Sequence, residues 1–208
     1  MKRRKIKKLP IFILLVVLIL LILVLLAFLN KPDNKTIENN NPSNTETKEI
    51  AKQMSLVMVG DVLTHDAVLN DAKKTDGTYD FTEMFSYIKP MIKDYDLKYV
   101  NEESIIGGPT FKVSGYPTFN APDSVGDNLV DTGFNLIGLA NNHAYDKGEE
   151  AILYSNNYWN NKNVVVAGTY SSKGMRDNIK VYEQNGIKYA FLSYTTSLNG
   201  YNLPSEKS

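Results

Sequence analysis

Hydrophobic positions follow two regimes along the chain. From Ile11 to Leu29 they form one unbroken run of 19 residues. From Met54 onward they come in short runs between polar turns. "MSLVMVGD" has the pattern of a buried strand closed by a Gly-Asp turn. In "FTEMFSYIKPMIKDY", Phe81, Met84, Phe85, Ile88 and Ile92 share a face at helical period, and Pro90 predicts a kink or break. "DLKYVNEES" is a second strand. The Gly- and Pro-rich stretch "IIGGPTFKVSGYPTFNAPDS" reads as loop, and "SVGDNLVDTG" as a short helix stopped by Gly133. "FNLIGLA" is a third strand. "KGEEAILYSNNYWNNKN" is an amphipathic helix whose Tyr154, Tyr158 and Trp159 face a sheet, and "VVVAG" is a fourth strand. "IKVYEQNGIKYAFLSYT" places two β-rich runs around Asn185-Gly186, a hairpin signal. Strands alternating with helices predict an α/β fold with a largely parallel core sheet, followed by an antiparallel hairpin.

The first regime has a different solvent. As a helix the 19-residue run is about 28 Å long, enough for a hydrocarbon core. Six Lys/Arg and no acid precede it, which predicts a cytoplasmic N-terminus and an outward-facing remainder. A cleaved signal peptide is the alternative, but its apolar region is usually about 7–15 residues long and ends in a small-x-small site. The organisation expected is a basic flank at 1–9, a transmembrane signal anchor at 10–29, a flexible linker at 30–52 and an outer domain at 53–208. The linker is rich in Asn, Thr, Lys and Glu and has too little apolar surface to offset ordering. The expected location is the cell membrane, single-pass, with the domain on the extracytoplasmic side. The chain stops shortly after a β-rich run, so the reading is also of a C-terminally truncated domain.

Charge narrows the partners. The whole chain balances at 23 basic against 23 acidic residues. Without the leader's six cations the remainder is acidic, which argues against nucleic acid as a partner. Such a surface holds an anionic polymer only if a metal supplies positive charge. The chain has no cysteine, so a thiolate metal site, a disulfide framework and a cysteine nucleophile are excluded.

In a parallel α/β sheet, polar residues at the carboxyl ends of strands gather on one rim, where ligands bind. Three strand ends carry them here: "VGDVLTHD" with Asp61, His65 and Asp66; "YVNEES" with Asn101, Glu102 and Glu103; "LANNHAYD" with Asn141, Asn142, His143 and Asp146. Carboxylates, imidazole and amide oxygens suit Mg, Mn, Fe or Zn. Singly, each has a plainer reading. Asp61 suits a turn or helix cap, Glu103 a solvated loop, the asparagines turn chemistry, His143 a structural histidine and His65 a helix start. Recurrence at three successive strand ends favours a site.

"MVGDVLTHD", "DLKYVNEESIIGG", "PTFNAPDSVGDNLVDTGFNLIGLANNHAYDKGEEAI" and "IKYAFLSYT" resemble, in order and spacing, blocks of the CapA-type poly-γ-glutamate capsule synthesis proteins. The resemblance runs from about Ser55 to Thr196. It implies a relation to calcineurin-like metallophosphoesterases, with a layered α/β/β/α sandwich around a divalent metal centre of Mn, Fe or Zn. By that resemblance Asp61 is a metal ligand, Glu103 lies near the bridging carboxylate, Asn142 is the amide ligand and His143 the catalytic neighbour. His65 could stand in for a missing ligand, and Asn101, Asn141 and Asp146 would contact substrate.

The departures are specific. The first block reads Asp61-Val62-Leu63 where phosphoesterases have Asp-x-His. Glu103 replaces a bridging aspartate, and no histidine follows His143. A two-metal centre built from these residues alone would be underligated. The resemblance implies an accessory component of a membrane polymer synthase, contacting synthase subunits and an anionic poly-γ-glutamate or other envelope polymer. The second reading is a metal-dependent hydrolase of phosphoester or amide bonds, in which His143 acts as general acid or electrostatic stabiliser.

Overall fold

The structure, a computed structural model, describes residues 18–19, 21–23 and 51–203. The expected signal anchor and linker lie largely outside the described residues. Among the described residues no helix is long and apolar enough to cross a membrane.

In the body beginning at residue 51, four strands pair in parallel in the order β1 (Leu56–Val62), β2 (Leu97–Glu102), β3 (Leu136–Gly138) and β4 (Val165–Ala167). The helices are α1 (Asp66–Ala72), α2 (Thr82–Phe85), α3 (Ile88–Ile92), α4 (Asp123–Thr132), α5 (Gly148–Asn160) and α6 (Lys173–Asp177). A hairpin, β5 (Tyr182–Gln184) and β6 (Ile187–Tyr189), follows. Asn185 and Gly186 turn it with φ of 52° and 73°, the left-handed pair that two-residue hairpins require. The mixed α/β class with a parallel sheet is as expected.

A sheet whose strands run in sequence order, joined by crossovers of one hand, receives its helices on one face. The core shows this. Val57 and Val59 of β1, Val100 of β2, Ile137 of β3 and Val166 of β4 pack with Leu69, Phe85, Ile92, Leu129 and Trp159 from the helices. Tyr154 and Tyr158 clamp α5 to α4, donating hydrogen bonds to Asp123 Oδ2 (2.8 Å) and Asp127 Oδ1 (2.8 Å). The opposite face of the sheet is only partly covered. Phe191 meets Tyr99 edge-on at 5.9 Å, while Leu56 and Met58 remain 47% and 61% exposed.

The helix expected across 81–95 is two helices, and the break lies at Ser86–Tyr87 rather than at Pro90. The cause is still Pro90. Its ring would clash with the carbonyl four residues back, that of Ser86, so a new helix starts after that point and Pro90 falls in its first turn, where no N–H is needed. The β-rich run after Gly186 is shorter than expected, because its ladder ends at Tyr189. Two helices, α1 and α6, carry no periodic signal: α1 buries only Leu69 and α6 buries nothing.

Candidate functional site

The site begins with a register change. Met58 pairs with Tyr99, but Asp61 pairs with Asn101, so β1 holds one residue more than β2 across the same interval. Without this bulge Asn101 would stand opposite Gly60. With it, Asp61 and Asn101 stand side by side at the carboxyl ends of neighbouring strands, the re-aiming that bulges perform.

From there a polar chain crosses three strand ends. Asn101 Nδ2 donates to Asp61 Oδ1 at 2.8 Å. Asn141 Nδ2 donates to the Glu102 carbonyl at 2.9 Å and reaches Asn101 Oδ1 at 3.4 Å. The Asn141 Oδ1 accepts the backbone N–H of His143 at 3.0 Å, and the His143 ring nitrogen Nδ1 lies 2.8 Å from Asp146 Oδ2. The same Asp146 oxygen accepts the Phe119 N–H at 2.7 Å, and the Phe119 ring stands edge-on to His143 at 4.6 Å. A carboxylate at Nδ1 places the ring proton there and leaves Nε2 as the bare nitrogen. Asn199 Nδ2, 3.2 Å from Nδ1, therefore meets a nitrogen whose proton is directed at Asp146 and gives no donor bond to it.

Glu103 joins this group electrostatically. Partial burial pushes its carboxyl above the usual carboxylate range, and Asp61, as like charge and hydrogen-bonding neighbour, pushes the same way; a charge on His143 opposes both. Asp61, Glu103 and His143 thus share one rim. Asn142 is less committed, since its amide donates to Asn199 Oδ1 at 3.2 Å. His65 stands elsewhere in role. It caps α1, accepting the Asp66 N–H at 3.0 Å, and its ring stacks on Tyr116 at 5.9 Å.

As a cation site the set is partial. An acid whose charge a neighbouring acid disfavours, as Asp61 does that of Glu103, is what a divalent ion relieves. Yet among the described residues no group of three or more His, Cys, Asp and Glu side chains could hold a metal ion. Asp61 and Glu103 are the start of a ligand set, with Asn142 turned to Asn199.

Sequence reasoning passed over Phe119 and Asn199. Nothing in "PTFNAP" marks Phe119 as a wall for an imidazole, and Asn199-Gly200 reads only as a turn. The adjacent acid Glu102 takes the other face of the sheet. It is 2% exposed, its Oε1 has no hydrogen-bond partner among the described residues, and burial holds its carboxyl well above the usual range. The folded state therefore keeps a proton that the unfolded state releases. The stability this contributes is fully present below the unfolded carboxyl pKa and is lost as pH rises toward the folded one, at roughly 1.4 kcal/mol per pH unit. Glu102→Gln has no proton to lose. Its melting temperature should match the wild type at acid pH and exceed it increasingly toward pH 8, which thermal unfolding across that range measures.

The chain matches the family described as "Bacterial capsule synthesis protein PGA_cap" over residues 55–208. It is 27% identical over 150 residues to the uncharacterized protein y4uA of Sinorhizobium fredii (strain NBRC 101917 / NGR234), covering 69% of this chain and 30% of that protein. It is 26% identical, with the same coverage, to the uncharacterized protein y4sH of the same strain. The chain thus spans about 30% of the length of these curated relatives. Since the family match takes in the whole sheet and every residue of the rim, this chain belongs to the PGA_cap family of bacterial capsule synthesis proteins.

Proposed function

We propose that this chain is a single-pass, extracytoplasmic component in the synthesis or export of an anionic envelope polymer such as poly-γ-glutamate, acting beside membrane synthase subunits. The observation that carries the reading is the polar chain Asp61–Asn101–Asn141–His143–Asp146, assembled at the carboxyl ends of three strands in a member of a capsule synthesis family. The basic flank and the apolar run 11–29 support the tether. In fold, the reading extends to a metallophosphoesterase-like layered sandwich, supported by the incompletely covered face at Leu56 and Met58.

Deleting the gene in its native host should lower cell-surface polymer, and the full chain should restore it and co-purify with synthase subunits. Unchanged polymer on deletion would refute the reading. His143→Ala should keep co-purification, because His143 acts at the rim and not in the tether.

A metal-dependent hydrolase is the second reading, favoured by Glu103 lying beside Asp61, which with partial burial pushes the Glu103 carboxyl up. Asp61, Glu103 and Asn142 would hold the ion. A bound Mn, Fe or Zn lowers the pKa of water and polarises a phosphoryl or carbonyl oxygen. His143, held at Nδ1 by Asp146, would assist a leaving group through Nε2 once that nitrogen carries a proton. Retained metal in the purified full chain, with phosphodiester turnover that His143→Ala abolishes, would establish this reading over the accessory one.

A further inference from the structure

Beside the rim lies a cleft of about 820 Å³ that the polar chain does not use. Its volume falls within the roughly 300–1,000 Å³ of small-molecule sites. It opens past the carboxyl ends of β3 and β4, where Ala140 and Gly168 line it. Ala140 and Ala144, on the loop that carries His143, form part of its floor, and the segment 193–203 forms a wall.

The lining argues for one ligand chemistry. Four tyrosines, Tyr145, Tyr170, Tyr194 and Tyr201, face it, and Tyr194 is 81% exposed. Tyr145 and Tyr201 meet edge-on at 6.0 Å, which fixes two of the rings. Serine and threonine side chains occupy much of the rest, among them Ser171, Ser193 and Thr196. The charged groups are already engaged. Lys173 Nζ pairs with Asp177 Oδ2 at 2.7 Å and Arg176 Nε with Asp177 Oδ1 at 3.1 Å, and Glu149 also has a partner. With Asp177 and Glu149 balancing Lys173 and Arg176, the cleft offers a polycarboxylate no net positive charge. A neutral saccharide needs none. Its hydroxyls both donate and accept, as those of Ser and Thr do, and the C–H faces of its rings match exposed phenol faces.

We infer that this cleft binds a neutral saccharide segment through its tyrosine rings and hydroxyls. The site is separate from the polymer reading above and does not depend on it.

The test is calorimetric titration of the full chain with an N-acetylglucosamine tetramer, maltohexaose and, as the charged counterpart, γ-linked hexaglutamate. At least one neutral saccharide should bind, hexaglutamate should bind more weakly, and Tyr194→Ala should weaken saccharide binding roughly tenfold, as loss of one ring contact implies. Leu153→Trp, which fills the cleft from an exposed position on α5, should weaken it at least as much. Unfolding curves confirm that both variants are folded. Absence of binding by both saccharides, or saccharide binding unchanged in both folded variants, overturns the site. Preference for hexaglutamate overturns the ligand class. The polymer reading survives either result, because it is judged by cell-surface polymer on gene deletion.

Discussion

Replacing Gly168 by valine is expected to cost the body about 2–5 kcal/mol, the sum of a backbone term of roughly 1–2 and an overpacking term of roughly 1–3. Gly168 follows β4 with φ of +121°, a region closed to β-branched residues. A Cβ there would lie 2.3 Å from the Ala140 backbone nitrogen and 2.9 Å from the Leu139 carbonyl carbon. That backbone has little room to yield, because Leu139 N–H is already bonded to the Ala167 carbonyl at 2.9 Å. Relief would have to come from the Ala140–His143 loop, so the variant should also disturb the rim. The chain has one tryptophan, Trp159, fully buried on α5, and its fluorescence reports unfolding in urea. The control is Gly174→Ala. Gly174 has open space around a Cβ and lies within α6, so its midpoint should hold or rise slightly. Equal midpoints for Gly168→Val and the wild type would refute the packing described at the β3–β4 end.

The domain's net stability is expected to be the usual small difference of about 5–15 kcal/mol, so a loss of this size shifts the midpoint visibly. It also shows why the strand ends could be read from the sequence. Apolar runs stopping at Gly-Asp, Asn-Glu-Glu and Asn-Asn-His mark where backbone leaves the sheet, and parallel pairing then brings those ends together whatever their sequence separation. Asp61, Asn101, Asn141, His143 and Asp146 were accessible for that reason. The bulge in β1 was not, because one extra residue leaves the apolar pattern intact and changes only what stands opposite. Glu102 and Glu103 were separable in principle: Glu102 shares the parity of Val100, a core residue, and so must point into the helical layer. Asn199 was out of reach. A turn residue 56 positions beyond His143 meets the site through the path of a loop, and no periodicity encodes that path.

Asp146→Ala is expected to be the most damaging change at the rim, lowering stability by about 2 kcal/mol or more, the cost of two buried donors left without their acceptor. The Asp146 side chain is 1% exposed and the His143 ring 11%. One carboxylate oxygen accepts both the Phe119 N–H and the His143 ring proton, so alanine strands two donors, each costing roughly 1–3 kcal/mol when buried and unpaired. Asparagine separates the two roles of this residue. With its amide oxygen in the same place it accepts both bonds, while its NH₂ takes the position of Oδ1, which in the wild type has no partner among the described residues. Asp146→Asn should therefore unfold in urea near the wild-type midpoint, although it removes the negative charge. If alanine and asparagine unfolded alike, the hydrogen bonds would not be what holds the loop.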